Sequence, residues 1–164
     1  MSKQNYFDLL EQLSLLCTKA VHLHSSGERG RALREISRLE NEANVILSDI
    51  EERLFKDFMP VLERSSIAAS AHAICRVIDL CLIGAGEGEV ADVMCFELAQ
   101  RIKTEVFRIR RIKKSNELPD RNGFRSAFIR LCASSKKPSR ASLLLAEELC
   151  LCFDRTVEVM LKNI

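Results

Sequence analysis

The feature that most constrains this chain is one unbroken apolar stripe. Ala32, Ile36, Leu39, Ala43, Ile46, Ile50, Leu54 and Phe58 recur every three or four residues, with charged residues between them. That period puts them on one face of an α-helix running from about Glu28 to Asp57. A surface helix with such a stripe needs other elements to cover it along its length. Turn residues are too scarce to offer a β alternative, since the 164 residues hold six Gly and three Pro. Hairpins and short strands use such residues at nearly every connection. The sequence therefore predicts an all-α fold of long helices and few loops.

Other segments repeat the helical period. A first helix is expected from about Tyr6 to His24, ended by Ser25-Ser26-Gly27. A third starts at Ser65 or Ser66, both good N-caps, and runs to Ile83. Gly84-Ala85-Gly86-Glu87-Gly88 reads as a glycine hinge that divides the chain almost in half. Beyond it come a fourth helix from about Glu89 to Lys114, a short fifth from about Phe124 to Cys132, and a sixth capped by Ser139. The expected architecture is one domain, residues 1–164, built as two side-by-side three-helix bundles with pseudo-repeats at about 1–84 and 88–164. One echo favours duplication: Cys75 and Asp79 share the spacing of Cys150 and Asp154, late in the third helix of each half.

Several function classes fall away. The seven Cys are odd in number and form no Cys-x-x-Cys pair, and residues 1–8 have no apolar signal core. A reduced, cytoplasmic chain is the expectation. The longest apolar stretch, Ile67 to Ala85, is interrupted by His72, Arg76 and Asp79, so no transmembrane span is expected. Three His without suitable partners, and no Gly-x-Ser-x-Gly or His-Glu-x-x-His, argue against an enzyme.

The charge is polarised. Residues 1–100 carry a formal −6 and residues 101–164 a formal +8. The basic surplus is densest between Arg101 and Lys114, on an amphipathic helix whose apolar face is Ile102, Val106, Ile109 and Ile112. Its cations Arg101, Arg108, Arg111 and Lys114 read as a solvated face near a helix C-terminus or as a docking surface. The docking partner would be an acidic protein or, peripherally, an anionic membrane. Nucleic acid is less well served, because Phe107 is the only aromatic among these cations.

A metal site is the rival reading. Glu40 and Asn44 are four apart and share a helix face, as do Cys75 with Asp79 and Cys150 with Asp154. Glu40, Asn44, Asp79 and Asp154 are the candidate ligands for a divalent ion, and the neighbouring thiols would favour iron or zinc. Buried Cys acting as a small hydrophobe is the commoner arrangement, and the expectation is that no cofactor is needed.

An ordered series of elements between Tyr6 and Leu82 resembles one known family. Tyr6-Phe7-Asp8-Leu9-Leu10 is similar to its opening helix, and Leu39-Glu40-Asn41-Glu42-Ala43-Asn44 to its Leu-Glu-x-Glu-Ala-Asp motif. Leu54 to Pro60 resembles its Leu-x-x-x-Phe-x-x-Pro, Glu63 to Ile67 its Asp/Glu-Arg-Glu-Asp-Ile, and Asp79 falls on the last Asp of its Asp-Asp-x-x-Asp. The family is the PhoU-like phosphate transport regulators, specifically the Pit accessory proteins paired with an inorganic phosphate transporter. In the second half the likeness extends to helix count and the stretch Asp154-Arg155-Thr156-Val157-Glu158-Val159. The resemblance implies regulation of phosphate transport through protein–protein contact, with a transporter or other protein as partner and homodimerisation as a further option. The family's acidic motifs imply metal clusters on the bundle surface. Here Asn44, Cys75, Arg76, Ser65 and Ser66 stand where acids are expected, leaving Glu40, Asp79 and Asp154.

Overall fold

The computed structural model describes residues 5–58, 60, 63–112, 117–133 and 138–162. Among them the chain forms six α-helices and no strand: α1 Tyr6–Ser25, α2 Arg29–Lys56, α3 Arg64–Gly86, α4 Val93–Arg108, α5 Arg121–Cys132 and α6 Arg140–Lys162, with a 3-10 turn Ile109–Arg111 extending α4. The all-α expectation holds. Helices α1, α2 and α3 pack on one another, α4 packs on α5 and α6, α1 lies against α4, and α3 lies against α6. Thus α1, α3, α6 and α4 enclose the centre, with α2 laid over α1 and α3 on one side and α5 over α4 on the other.

Local chemistry sets the helix ends. Asn5 caps α1 in a reciprocal box, its side chain accepting from the Asp8 amide while Asp8 accepts from the Asn5 amide. Gly27, at φ 80°, supplies the left-handed residue that turns the chain into α2. Neither Ser65 nor Ser66 caps α3. Glu63 does, accepting from the Ser66 amide at 3.0 Å and from both serine hydroxyls. Those hydroxyls are the main reason its carboxyl is held down at about 2. Helix α2 ends at Lys56, before Pro60, and Arg64 receives its end by donating to the carbonyls of Leu54 (2.9 Å), Asp57 and Phe58. That guanidinium satisfies acceptors that a helix terminus otherwise leaves to water.

The glycine hinge is also placed differently. Helix α3 continues through Gly86, and of the glycines there only Gly88, at φ 74°, turns the chain. Gly84 is a packing notch: a Cβ there would lie 2.7 Å from Cε1 and Nε2 of His24. Helix α4 starts four residues later than expected, at Val93, capped by Asp92. The connection before it is tied down, with the Ala91 amide donating to the His24 carbonyl at 3.2 Å and the Asp92 amide to Ser142 Oγ at 2.9 Å. Ser139 caps α6 by accepting from the Ser142 amide, as expected.

Helix α3 is long and apolar enough to cross a membrane, with a mean hydropathy of 1.6. Its place is the interior, where Ile67, Ala71, Ile74, Val77, Ile78 and Cys81 are fully buried. His72, Arg76 and Asp79 recur on one exposed stripe. Five thiols, Cys17, Cys75, Cys81, Cys95 and Cys152, are buried in the core. Burial pushes Cys17, Cys75 and Cys95 up to about 12, and raises Cys81 and Cys152 as well. They pack as small polarisable side chains.

Two measurements read this packing. A thiol reagent applied near neutral pH should modify Cys132, which is exposed, first and the half-buried Cys150 more slowly. The five buried thiols should react only on unfolding, because the thiolate is the nucleophile. Tyr6, the one tyrosine, donates to Asp57 Oδ2 at 2.6 Å and joins the start of α1 to the end of α2. Burial first, then the Asp57 carboxylate, push it from 10.0 to about 12. The fold favours the neutral phenol, so its stabilising effect is whole below pH 10 and is lost as pH rises through about 12. Ultraviolet titration of the native protein should show that raised midpoint, and Asp57→Asn should lower it.

Candidate functional site

The basic surface is built on a four-residue step. Lys103, Phe107 and Arg111 follow one another along α4 and its 3-10 extension, while Glu11 and Leu15 do the same on α1. Where the two helices pack, these side chains border a groove of about 710 Å³, which Arg108 and Arg110 also line. It also contains partly exposed apolar side chains, with Leu15 48% and Phe107 39% exposed. The opposite side of α4 carries Leu98, Ile102, Val106 and Ile109 into the core.

The cations of this face divide by partner. Arg101 is engaged with Glu97 at 3.2 Å and Asp120 at 3.4 Å. Arg108 grips both carboxylate oxygens of the buried Glu105 at 2.9 Å and donates to the Glu117 and Leu118 carbonyls, fastening the connection that leads to α5. Arg110 spans to α1, donating to Asp8 and Glu11 at 2.7 Å each, with its guanidinium 5.8 Å above the Phe7 ring. That pair is the main reason the Asp8 carboxyl is lowered. No ion pair among the described residues engages Lys103 or Arg111. Lys114 lies outside the described residues.

The four cations singled out in the sequence therefore have different roles. Arg101 and Arg108 hold the chain together, and Arg111 is exposed on the groove. Lys103, Arg110 and the apolar pair Leu15 and Phe107 complete the groove. The spacing of four between Lys103, Phe107 and Arg111 was the available signal, but a cation census does not weigh an aromatic as part of the same stripe.

The metal candidates do not converge as a set. Glu40 and Asp79 come near one another across α2 and α3, where burial, and then the Glu40 charge, raise the Asp79 carboxyl above its ordinary range. Asn44 donates its amide to Glu40. The Cys75 thiol is turned inward, its Sγ 4.0 Å from the Ala43 carbonyl. Asp154 is on α6 and lines a separate shallow groove with Arg121, Arg125 and Phe128 of α5. Among the described residues no group of three or more His, Cys, Asp or Glu is placed to hold a metal ion.

Comparison with protein families finds none that matches this chain, and none of the curated proteins matches it.

Proposed function

We propose that this chain is a non-enzymatic, cytoplasmic accessory protein that works by contact, and that the α1/α4 groove is its docking face. The observation that carries this is the pairing of an exposed apolar floor, Leu15 and Phe107, with the unengaged cations Lys103 and Arg111. Such a surface is complementary to an amphipathic acidic segment, with apolar contact supplying affinity and charge supplying encounter rate and register. Salt should weaken the contact, since the cations at the rim are open to solvent.

The resemblance of Tyr6–Leu82 to Pit accessory proteins makes an inorganic phosphate transporter of the same cell the first partner to test. The helix pairings support reading the domain as two side-by-side three-helix bundles, with α1 on α4 and α3 on α6 forming the seam. In that reading the groove lies along the seam, where Arg110 already ties the first helix to the end of the fourth.

The prediction is specific. Lys103→Glu with Arg111→Glu should weaken capture of the transporter's acidic cytoplasmic segments by tenfold or more. Helical circular dichroism should remain unchanged, because neither side chain holds the fold. Arg108→Ala, by contrast, should lower the melting temperature by loosening the connection to α5. Deletion of the gene should alter phosphate uptake or its control; unaltered uptake would remove the transporter as partner while leaving the groove to be tested against other acidic proteins.

A further inference from the structure

We propose that one end of the helical bundle is a membrane-contacting surface, which meets an anionic lipid bilayer by sinking Phe55, Phe58 and Leu118 into its interface. The surface is separate from the apolar part of the α1/α4 groove, and the inference does not rest on the docking reading.

Ion pairs and hydrogen bonds gather the helix ends there. Tyr6 of α1 donates to Asp57, just beyond α2, and Arg64 of α3 donates to the carbonyls of Leu54, Asp57 and Phe58. Lys162 of α6 pairs with Glu63, ahead of α3. Arg110, past the end of α4, pairs with Asp8 of α1, and Arg108 donates to the Leu118 carbonyl, ahead of α5. The starts of α1, α3 and α5 thus lie with the ends of α2, α4 and α6.

At this end the apolar exposure of the molecule reaches its maximum. Phe58 is 94%, Phe55 89% and Leu118 74% exposed, and they are the three most exposed large apolar side chains among the described residues. Leu161 is exposed as well and shares a shallow groove with Leu118. Scattered apolar side chains on a surface are ordinary, but their concentration in one place marks a contact surface. Exposure this complete means that both phenylalanines stand clear of the body instead of lining a cleft. A folded protein partner needs a shaped pocket for each such side chain, whereas a fluid lipid interface receives them without one.

Charge selects the kind of lipid. The acids of this end are held in the fold. Asp57 accepts from Tyr6, Glu63 caps α3, Asp120 caps α5 by accepting from the Gly123 amide at 2.9 Å, and Asp8 caps α1 and holds Arg110. Glu117 is engaged by Arg108 at 3.3 Å. Cations are left facing outward. Arg111 and Arg121 are exposed, and no ion pair among the described residues engages either side chain. Lys56, between the two phenylalanines in sequence, is exposed and paired only with Glu52, one turn back. Exposed cations beside protruding apolar side chains match an anionic headgroup layer over acyl chains, and the two attractions together hold a protein that neither holds firmly alone.

Flotation of the full chain with mixed phosphatidylserine–phosphatidylcholine vesicles tests the idea, with pure phosphatidylcholine vesicles as control. Association is expected with the mixed vesicles, at least tenfold weaker with the control, and weakened by salt. Phe55→Ser with Phe58→Ser should lower it tenfold or more with unchanged circular dichroism, because both side chains are exposed. Arg121→Glu should lower it severalfold. Val93→Ser, at the opposite end where α4 begins, should leave it unchanged. The chain has no Trp, so a Phe58→Trp variant reports from that position alone, and its emission should shift to the blue on vesicle binding. No association with vesicles, equal binding to both kinds, or an unshifted emission would overturn the proposal. So would a dimer of the chain in sedimentation that the double serine substitution disperses, because the same side chains would then belong to contact with a second copy.

Discussion

Helices α1 and α3 must each be covered by three neighbours, and the rest of the structure follows from that demand. Helix α1 meets α2, α3 and α4, and α3 meets α1, α2 and α6. A helix touched on three sides has only a narrow arc left for charge, which in α3 is the stripe His72, Arg76 and Asp79. Close approach also needs small side chains at the contacts. Ser14, Cys17, Thr18 and Ala20 serve on α1, and Ser70, Ala71, Ala73 and Gly84 on α3. The hydroxyls of Ser14 and Thr18 return to carbonyls of their own helix, Glu11 at 2.8 Å and Ser14 at 2.7 Å. Bonded in this way, Ser14 and Thr18 pack in an apolar contact with their donors satisfied, whereas the Ser70 hydroxyl on α3 is buried without a partner.

That demand explains what could be read from the sequence. The stripe from Ala32 to Phe58 and the period of the other segments place six helices, because a buried face must repeat with the helix, although Phe58 itself falls beyond the end of α2 and is 94% exposed. Ends were less legible. A serine before an apolar run is a sound cap in isolation, but Glu63 outcompetes Ser65 and Ser66 because one carboxylate can accept from the amide and from both hydroxyls. The glycines at 84 and 86 looked like a hinge because local propensity cannot register His24, sixty residues away in the chain and pressed against Gly84. The groove was half legible for the same reason. The cations between Arg101 and Arg111 are local, but the acids that engage Arg110, Asp8 and Glu11, come from α1.

The charge asymmetry acquires a physical use at that point. A surplus in one half and a deficit in the other would be costly if each faced only itself. Arg110 on the Asp8 and Glu11 carboxylates and Lys162 on Glu63 at 3.3 Å set cations of the basic half on acids of the acidic half, while Arg76 on Glu148 at 2.9 Å crosses in the opposite sense. Exposed pairs of this kind contribute little each, because solvent screens them. Their larger effect is to set register between helices whose apolar contacts alone are non-directional. Lys103 and Arg111 stand outside this internal pairing among the described residues, which is what makes their surface available.

The two halves match in helix order but not in cover. Helices α3 and α6 each have 23 residues and each comes third in its half. The helix before α3 has 28 residues, and the one before α6 has 12. At 1.5 Å per residue these lengths are about 42 Å and about 18 Å. Along α6, Leu143, Leu144, Leu151 and Leu161 are exposed, whereas α3 exposes Ile83. The Cys–Asp echo records the same difference. Cys75 is buried beneath α2 with its thiol toward the Ala43 carbonyl, while Cys150, at the matching place on α6, is only half-buried. Helix α5 packs chiefly on α4, and it meets α6 through one stacked pair, Phe124 on Phe153 with centroids 4.1 Å apart. That stack supplies apolar burial and a fixed orientation where α5 meets α6. The second half therefore shows more apolar surface along its third helix, beside its excess of positive charge.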